Sequence, residues 1–91
     1  MVEITIKAPN GSGPYSVTLT EGGSSRSYRV GVPEDFYQRL TGGTVSKADC
    51  LKASFRFLLD REPKESILSS FDLPVITRYF PEFEEKFKDY L

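Results

Sequence analysis

Histidine and tryptophan are absent from this chain of 91 residues, and Cys50 is its only cysteine. Without histidine the commonest general base and the commonest transition-metal ligand are both missing. A lone cysteine excludes an intrachain disulfide and any multi-cysteine zinc or iron–sulfur site. Charge of one sign is also lacking: twelve Lys and Arg stand against thirteen Asp and Glu, a net charge of −1. No global positive field draws in nucleic acid, which argues against DNA or RNA as a partner. Apolar runs never approach membrane-spanning length. Met1-Val2-Glu3-Ile4-Thr5 carries an acid where a secretory signal needs a basic segment and an apolar stretch, so the expected compartment is the cytoplasm.

Aromatic residues are plentiful: seven Phe and five Tyr. Each removes roughly 150–250 Å² from water when buried, so a few of them account for most of a small core. One domain over 1–91 is expected, with strands in 1–32 and helices in 33–91.

Val2, Ile4 and Ile6 alternate with Glu3, Thr5 and Lys7, the period of a strand. Ala8-Pro9-Asn10-Gly11-Ser12-Gly13-Pro14 is a loop, because Gly and Pro at this density break a ladder. Tyr15, Val17 and Leu19 alternate with serine and threonine as a second strand. Glu21-Gly22-Gly23-Ser24-Ser25 turns the chain, and Tyr28, Val30 and Val32 form a third. Three strands with loops of this length predict an antiparallel meander with one apolar face.

Pro33, Glu34 and Asp35 suit a helix start, and Thr41-Gly42-Gly43 suits its end. Ser46, three residues before Asp49, resembles a capping box. The helix it opens, Lys47 to Leu59, is apolar except for a stripe of Asp49, Lys52, Arg56 and Asp60. It is the central helix of the expected core. Pro63, Pro74 and Pro81 divide the remainder into short helices carrying Ile67, Leu68 and Phe71, then Val75, Ile76, Tyr79 and Phe80, then Phe83, Phe87 and Tyr90 or Leu91. The expected fold is α+β: a three-stranded antiparallel meander covered on one face by four or five short helices.

Catalytic sets are absent from this pattern. Cys50 lies in an apolar stripe with no histidine to activate it, and Ser46-Lys47 is explained by helix capping. The acids Asp60, Glu62, Glu65 and Asp72 follow no calcium-loop spacing, so no metal and no cofactor are expected. The expectation is a non-enzymatic module that binds a protein partner or itself, an accessory or regulatory factor. Its partner-binding residues are expected in the last stretch: Phe83, Phe87 and Tyr90.

Two resemblances add to this reading. Ser27-Tyr28-Arg29-Val30-Gly31-Val32-Pro33-Glu34-Asp35-Phe36 resembles the strand-then-helix opening of ribbon–helix–helix regulators. That resemblance implies a dimeric DNA-binding regulator or antitoxin, with Arg26, Ser27 and Arg29 reading bases from paired strands. Ser54-Phe55-Arg56-Phe57-Leu58-Leu59-Asp60-Arg61-Glu62-Pro63, with Ile67-Leu68 and Tyr79-Phe80-Pro81 downstream, resembles small bacterial proteins of unassigned function, which implies a bacterial source and no activity. A helix–turn–helix over Lys64 to Phe80, with Arg78 and Tyr79 in its reading helix, is the weaker DNA-binding pattern.

Overall fold

Alternation of apolar and hydroxyl-bearing residues sets the sheet. In the computed structural model, which describes residues 2–91, strands β1 (Glu3–Lys7), β2 (Tyr15–Glu21) and β3 (Ser24–Gly31) form an antiparallel meander. The β2–β3 turn is tighter than the glycine-and-serine run implies. Glu21 pairs with Ser24, and Gly22 takes a φ of 61°, the left-handed geometry of a two-residue hairpin. Val17, Leu19, Tyr28 and Val30 point to the core, while Thr5, Ser16, Ser27 and Arg29 point to solvent.

Helix α1 (Glu34–Thr41) follows Pro33 and stops at Gly42, whose φ of 64° and N–H to the Gln38 carbonyl (2.7 Å) make a left-handed cap. Helix α2 (Lys47–Leu59) has the predicted bounds. The Ser46 hydroxyl accepts the Asp49 N–H at 3.1 Å. Cys50, Leu51, Ala53, Ser54, Phe55, Phe57 and Leu58 are buried, and the expected stripe stays on the outside. The buried hydroxyls of Ser54 and Thr41 keep partners: Ser54 donates to the Cys50 carbonyl at 2.8 Å, and Thr41 to the Tyr37 carbonyl at 2.9 Å.

The expected helix over Ile67, Leu68 and Phe71 does not form. Lys64–Ser66 is a single 3₁₀ turn, and Ser70–Asp72 is a fourth strand, β4, parallel to β3 with Val30 opposite Phe71. Ser69 and Ser70 are weak helix formers, and Leu73 before Pro74 is held out of the helical region. Meanwhile the open edge of β3 offers partners: Arg29 donates its N–H to the Ser69 carbonyl, and Leu73 donates to the Gly31 carbonyl, both at 2.9 Å. The sheet is therefore four-stranded and mixed, in the order β1-β2-β3-β4. Helices α3 (Val75–Tyr79) and α4 (Phe83–Lys86) and a final 3₁₀ turn (Phe87–Tyr90) complete an α+β fold. Among the described residues no helix is long and apolar enough to cross a membrane.

Candidate docking surface

Burial decides which aromatic residues face a partner. Phe83 and Phe87 are wholly buried, so partner contact cannot rest on them in this conformation. Phe83 meets Phe57 at 5.0 Å between ring centroids and Phe87 at 5.7 Å, edge to face. Tyr90 is half-buried and also lies edge-on to Phe57, at 5.8 Å. Its hydroxyl donates to Asp60 Oδ2 at 2.7 Å and accepts from Arg61 Nη1 at 3.3 Å. Arg61 stacks on the Phe57 ring at 3.6 Å and bonds Glu82 at 3.1 Å. The last stretch is a flap closed over the end of α2 in cis. Helical spacing showed that it has an apolar stripe, and the waiting surface was already supplied by Phe57.

The ribbon residues are divided between surfaces. Ser27 and Arg29 share the solvent face, where Ser27 Oγ meets Thr18 Oγ1 at 3.2 Å. Arg26 has the opposite parity, that of buried Tyr28 and Val30, and lies exposed toward the hairpin end of β3. More decisively, β3 is hydrogen-bonded on both edges, to β2 and to β4. β4 covers that edge only over Arg29–Gly31, so a ribbon–helix–helix dimer would have just the Ser24–Tyr28 stretch of β3 left to pair. The helix–turn–helix pattern falls on the 3₁₀ turn and β4, so its first helix is missing.

Chemistry at Cys50 and Lys64 is subdued. Burial pushes the Cys50 thiol up to about 11, with a hydrogen bond to Ser54 opposing, so the thiolate is scarce at neutral pH. Lys64 is largely covered. Its ammonium bonds Glu65 at 2.9 Å and Glu21 at 3.4 Å, and its backbone carbonyl accepts the buried Tyr28 hydroxyl at 2.5 Å. These bonds pin the 3₁₀ turn to the hairpin. Among the described residues no three His, Cys, Asp or Glu side chains converge as a metal site.

What stays open is apolar. Among the described residues Leu68, Tyr79 and Leu91 are the exposed large hydrophobic ones, and Leu68 (47%) and Tyr79 (66%) flank one groove. Its walls are Leu58 and Glu62 at the end of α2, Phe71 of β4, and Val75, Ile76 and Phe80 at α3. The enclosed space is only about 30 Å³, far below the roughly 300–1,000 Å³ of a small-molecule pocket. A single protruding side chain is of the size such a groove admits. Glu62, half-buried, is the only charged residue on its wall.

Helical spacing predicts Leu68 and Tyr79 in core stripes, yet both side chains are exposed. The signal in the chain is the adjacency of Ile67 with Leu68 and of Tyr79 with Phe80. Ile67, extended after the 3₁₀ turn, takes the core and leaves Leu68 outside, whereas Tyr79 ends helix α3, whose buried residue is Ile76. Comparison with protein-family models, with curated proteins and with solved structures finds no match.

Proposed function

We propose that this chain is a non-enzymatic protein-interaction module that receives one apolar side chain of a partner segment between Leu68 and Tyr79. The observation that carries the reading is the exposure of these two residues side by side over an apolar floor, while the other aromatics of the second half are buried or half-buried. A tyrosine flanking a small desolvated groove is the composition of an interface anchor. The wall charge supports a narrower reading of the partner's chemistry. Glu62 favours a segment that carries Lys or Arg beside its aliphatic or aromatic anchor. A single free cysteine, buried in α2, suits a reducing cytoplasm, where such an accessory or regulatory module would act in a bacterial cell.

A displayed peptide library panned on the chain tests this, with a Tyr79→Glu variant as counter-selection. Tyr79 is exposed enough for that change to leave the fold intact. The expected result is enrichment of peptides with one large apolar residue next to a basic one, binding at least tenfold more weakly to Glu62→Lys. Equal retention by the Tyr79→Glu chain, or enrichment of acidic peptides, would overturn the assignment.

A further inference from the structure

A second unpartnered element lies at the opposite edge of the sheet. Strand β1 pairs only with β2, so one side of its backbone is open. The hydrogen-bond pattern fixes which residues face outward. Arg29 N–H and Gly31 C=O turn toward β4, so the alternate residues of β3, Ser24 to Val30, bond to β2. It follows that Tyr15, Val17, Leu19 and Glu21 face β3, and that Ser16, Thr18 and Thr20 face β1. Their partners are Lys7, Thr5 and Glu3. The groups left over, the N–H and C=O of Ile4 and Ile6, point to the free edge.

The side chains of β1 are arranged symmetrically about Thr5. Glu3 stands two residues before it and Lys7 two residues after, both exposed on the solvent face. Ile4 and Ile6 flank it on the core face and are only half-buried. A hollow of about 420 Å³ opens beside Ile4 between Val2, Leu59, Lys52 and Arg56, with Asp60 in its wall. By contrast β4, the other edge, spans only Ser70–Asp72 and is followed closely by Pro74, which blunts it.

We propose that two copies of this chain join through antiparallel β1 strands on a two-fold axis at Thr5, making one continuous sheet. In that register Ile4 of each copy exchanges both backbone hydrogen bonds with Ile6 of the other, which are the free groups identified above. Glu3 lies directly opposite Lys7 of the second copy, and its repeat by symmetry gives the pairing a charge code. On the core face, Ile6 of the second copy reaches the hollow beside Ile4. The stems of Lys52 and Arg56 cover it while their charged ends stay in solvent. A shift of two residues in either direction breaks the Glu3–Lys7 opposition, setting Thr5 against Glu3 in one case and against Lys7 in the other, so opposite charge selects the centred register. The groove at Leu68 and Tyr79 is not used, so this assembly is independent of the proposed docking function.

Sedimentation equilibrium on the chain and on surface-charge variants tests the assembly, with circular dichroism confirming that each variant is folded. The wild-type chain is expected to dimerise at sub-millimolar concentration. Glu3→Lys alone and Lys7→Glu alone should each weaken the dimer about tenfold or more, because each places like charges opposite one another twice. The double variant Glu3→Lys with Lys7→Glu should recover wild-type affinity, and Tyr79→Glu should leave it unchanged. A chain that stays monomeric at millimolar concentration overturns the proposal. So does a dimer indifferent to the single charge changes, a double variant that fails to recover, or a dimer abolished by Tyr79→Glu.

Discussion

Tyr28 shows how one residue links the two halves of the chain. Its ring lies in the core at 5.4 Å from Phe55, and its hydroxyl is the buried donor to the Lys64 carbonyl. The 3₁₀ turn at Lys64–Ser66 is held from two directions: by this bond from β3 and by Glu21, at the end of β2, on the Lys64 ammonium. That turn in turn sets where Ile67 enters the core and Leu68 leaves it. Tyr28→Phe keeps the ring and removes the donor, leaving a covered carbonyl without its partner. The expected loss is about 1–2 kcal/mol of stability, read as a lower urea midpoint with an unchanged slope. Because the loss is local to the turn, Leu68 should also reorient, and peptide binding at the groove should weaken along with stability. Retention of both would show that water replaces the tyrosine hydroxyl at no cost.

At the scale of elements, the legible parts of this chain are those whose signals are local. Helix α2 could be read to its bounds because Ser46 caps it and its polar stripe is continuous. The meander could be read because each strand alternates and its neighbours follow directly. Strand β4 was hidden for the opposite reason. Its partner, β3, lies far back in sequence, and three residues of Ser-Phe-Asp carry too little pattern to outweigh helical spacing around them. Half of the docking surface was hidden with it, since Leu68 stands outside where Ile67 is extended, while Tyr79 lies on the outer side of α3.

The terminal flap follows the same rule. Periodicity revealed the stripe of Phe83 and Phe87 but not the face of Phe57 that covers it. Since both phenylalanines are wholly buried, Phe87→Ala is expected to cost roughly 3–5 kcal/mol. Truncation after Phe80 removes both, a loss comparable to the roughly 5–15 kcal/mol that holds a domain together. The truncated chain should therefore lose its cooperative thermal transition by circular dichroism. A folded truncated monomer would show instead that the flap is dispensable and that its proper surface lies on another molecule.

For the whole molecule, the missing histidine shapes the dependence of stability on pH. No side chain with an ordinary pKa between about 5 and 8 exists to titrate, so stability should be flat across that range. On the acid side three glutamates are held below their usual value. Lys47 hydrogen-bonds Glu34, Lys64 hydrogen-bonds Glu65, and a backbone N–H followed by Arg61 holds Glu82. A carboxylate with a depressed folded pKa stabilises the fold above its unfolded value of about 4.3 and loses that contribution as pH falls through the folded value. Glu34 and Glu65 are exposed and Glu82 is partly so, so the acid limb should be shallow and should fade in high salt.

The alkaline limb has a different owner. Burial raises Cys50 to about 11, so the unfolded thiol ionises first as pH climbs past about 8.5, while the folded thiol stays protonated. Stability is fully present below the unfolded value and drains as pH rises toward the folded one, by an amount on the order of 2 kcal/mol. Tyr28, also raised by burial, adds to the loss beyond about pH 10. The raised values of Lys47 and Lys64, set first by their hydrogen bonds to Glu34 and Glu65, act in the same direction higher still. Urea midpoints of the wild-type chain and of Cys50→Ala, taken from about pH 3 to about pH 11, separate the limbs. The variant should keep the shallow acid limb and lose most of the decline between about pH 8.5 and 10, whatever its baseline stability. If the two curves run parallel throughout, the thiol is not the group that ionises on unfolding, and the alkaline loss belongs to the lysine pairs and Tyr28.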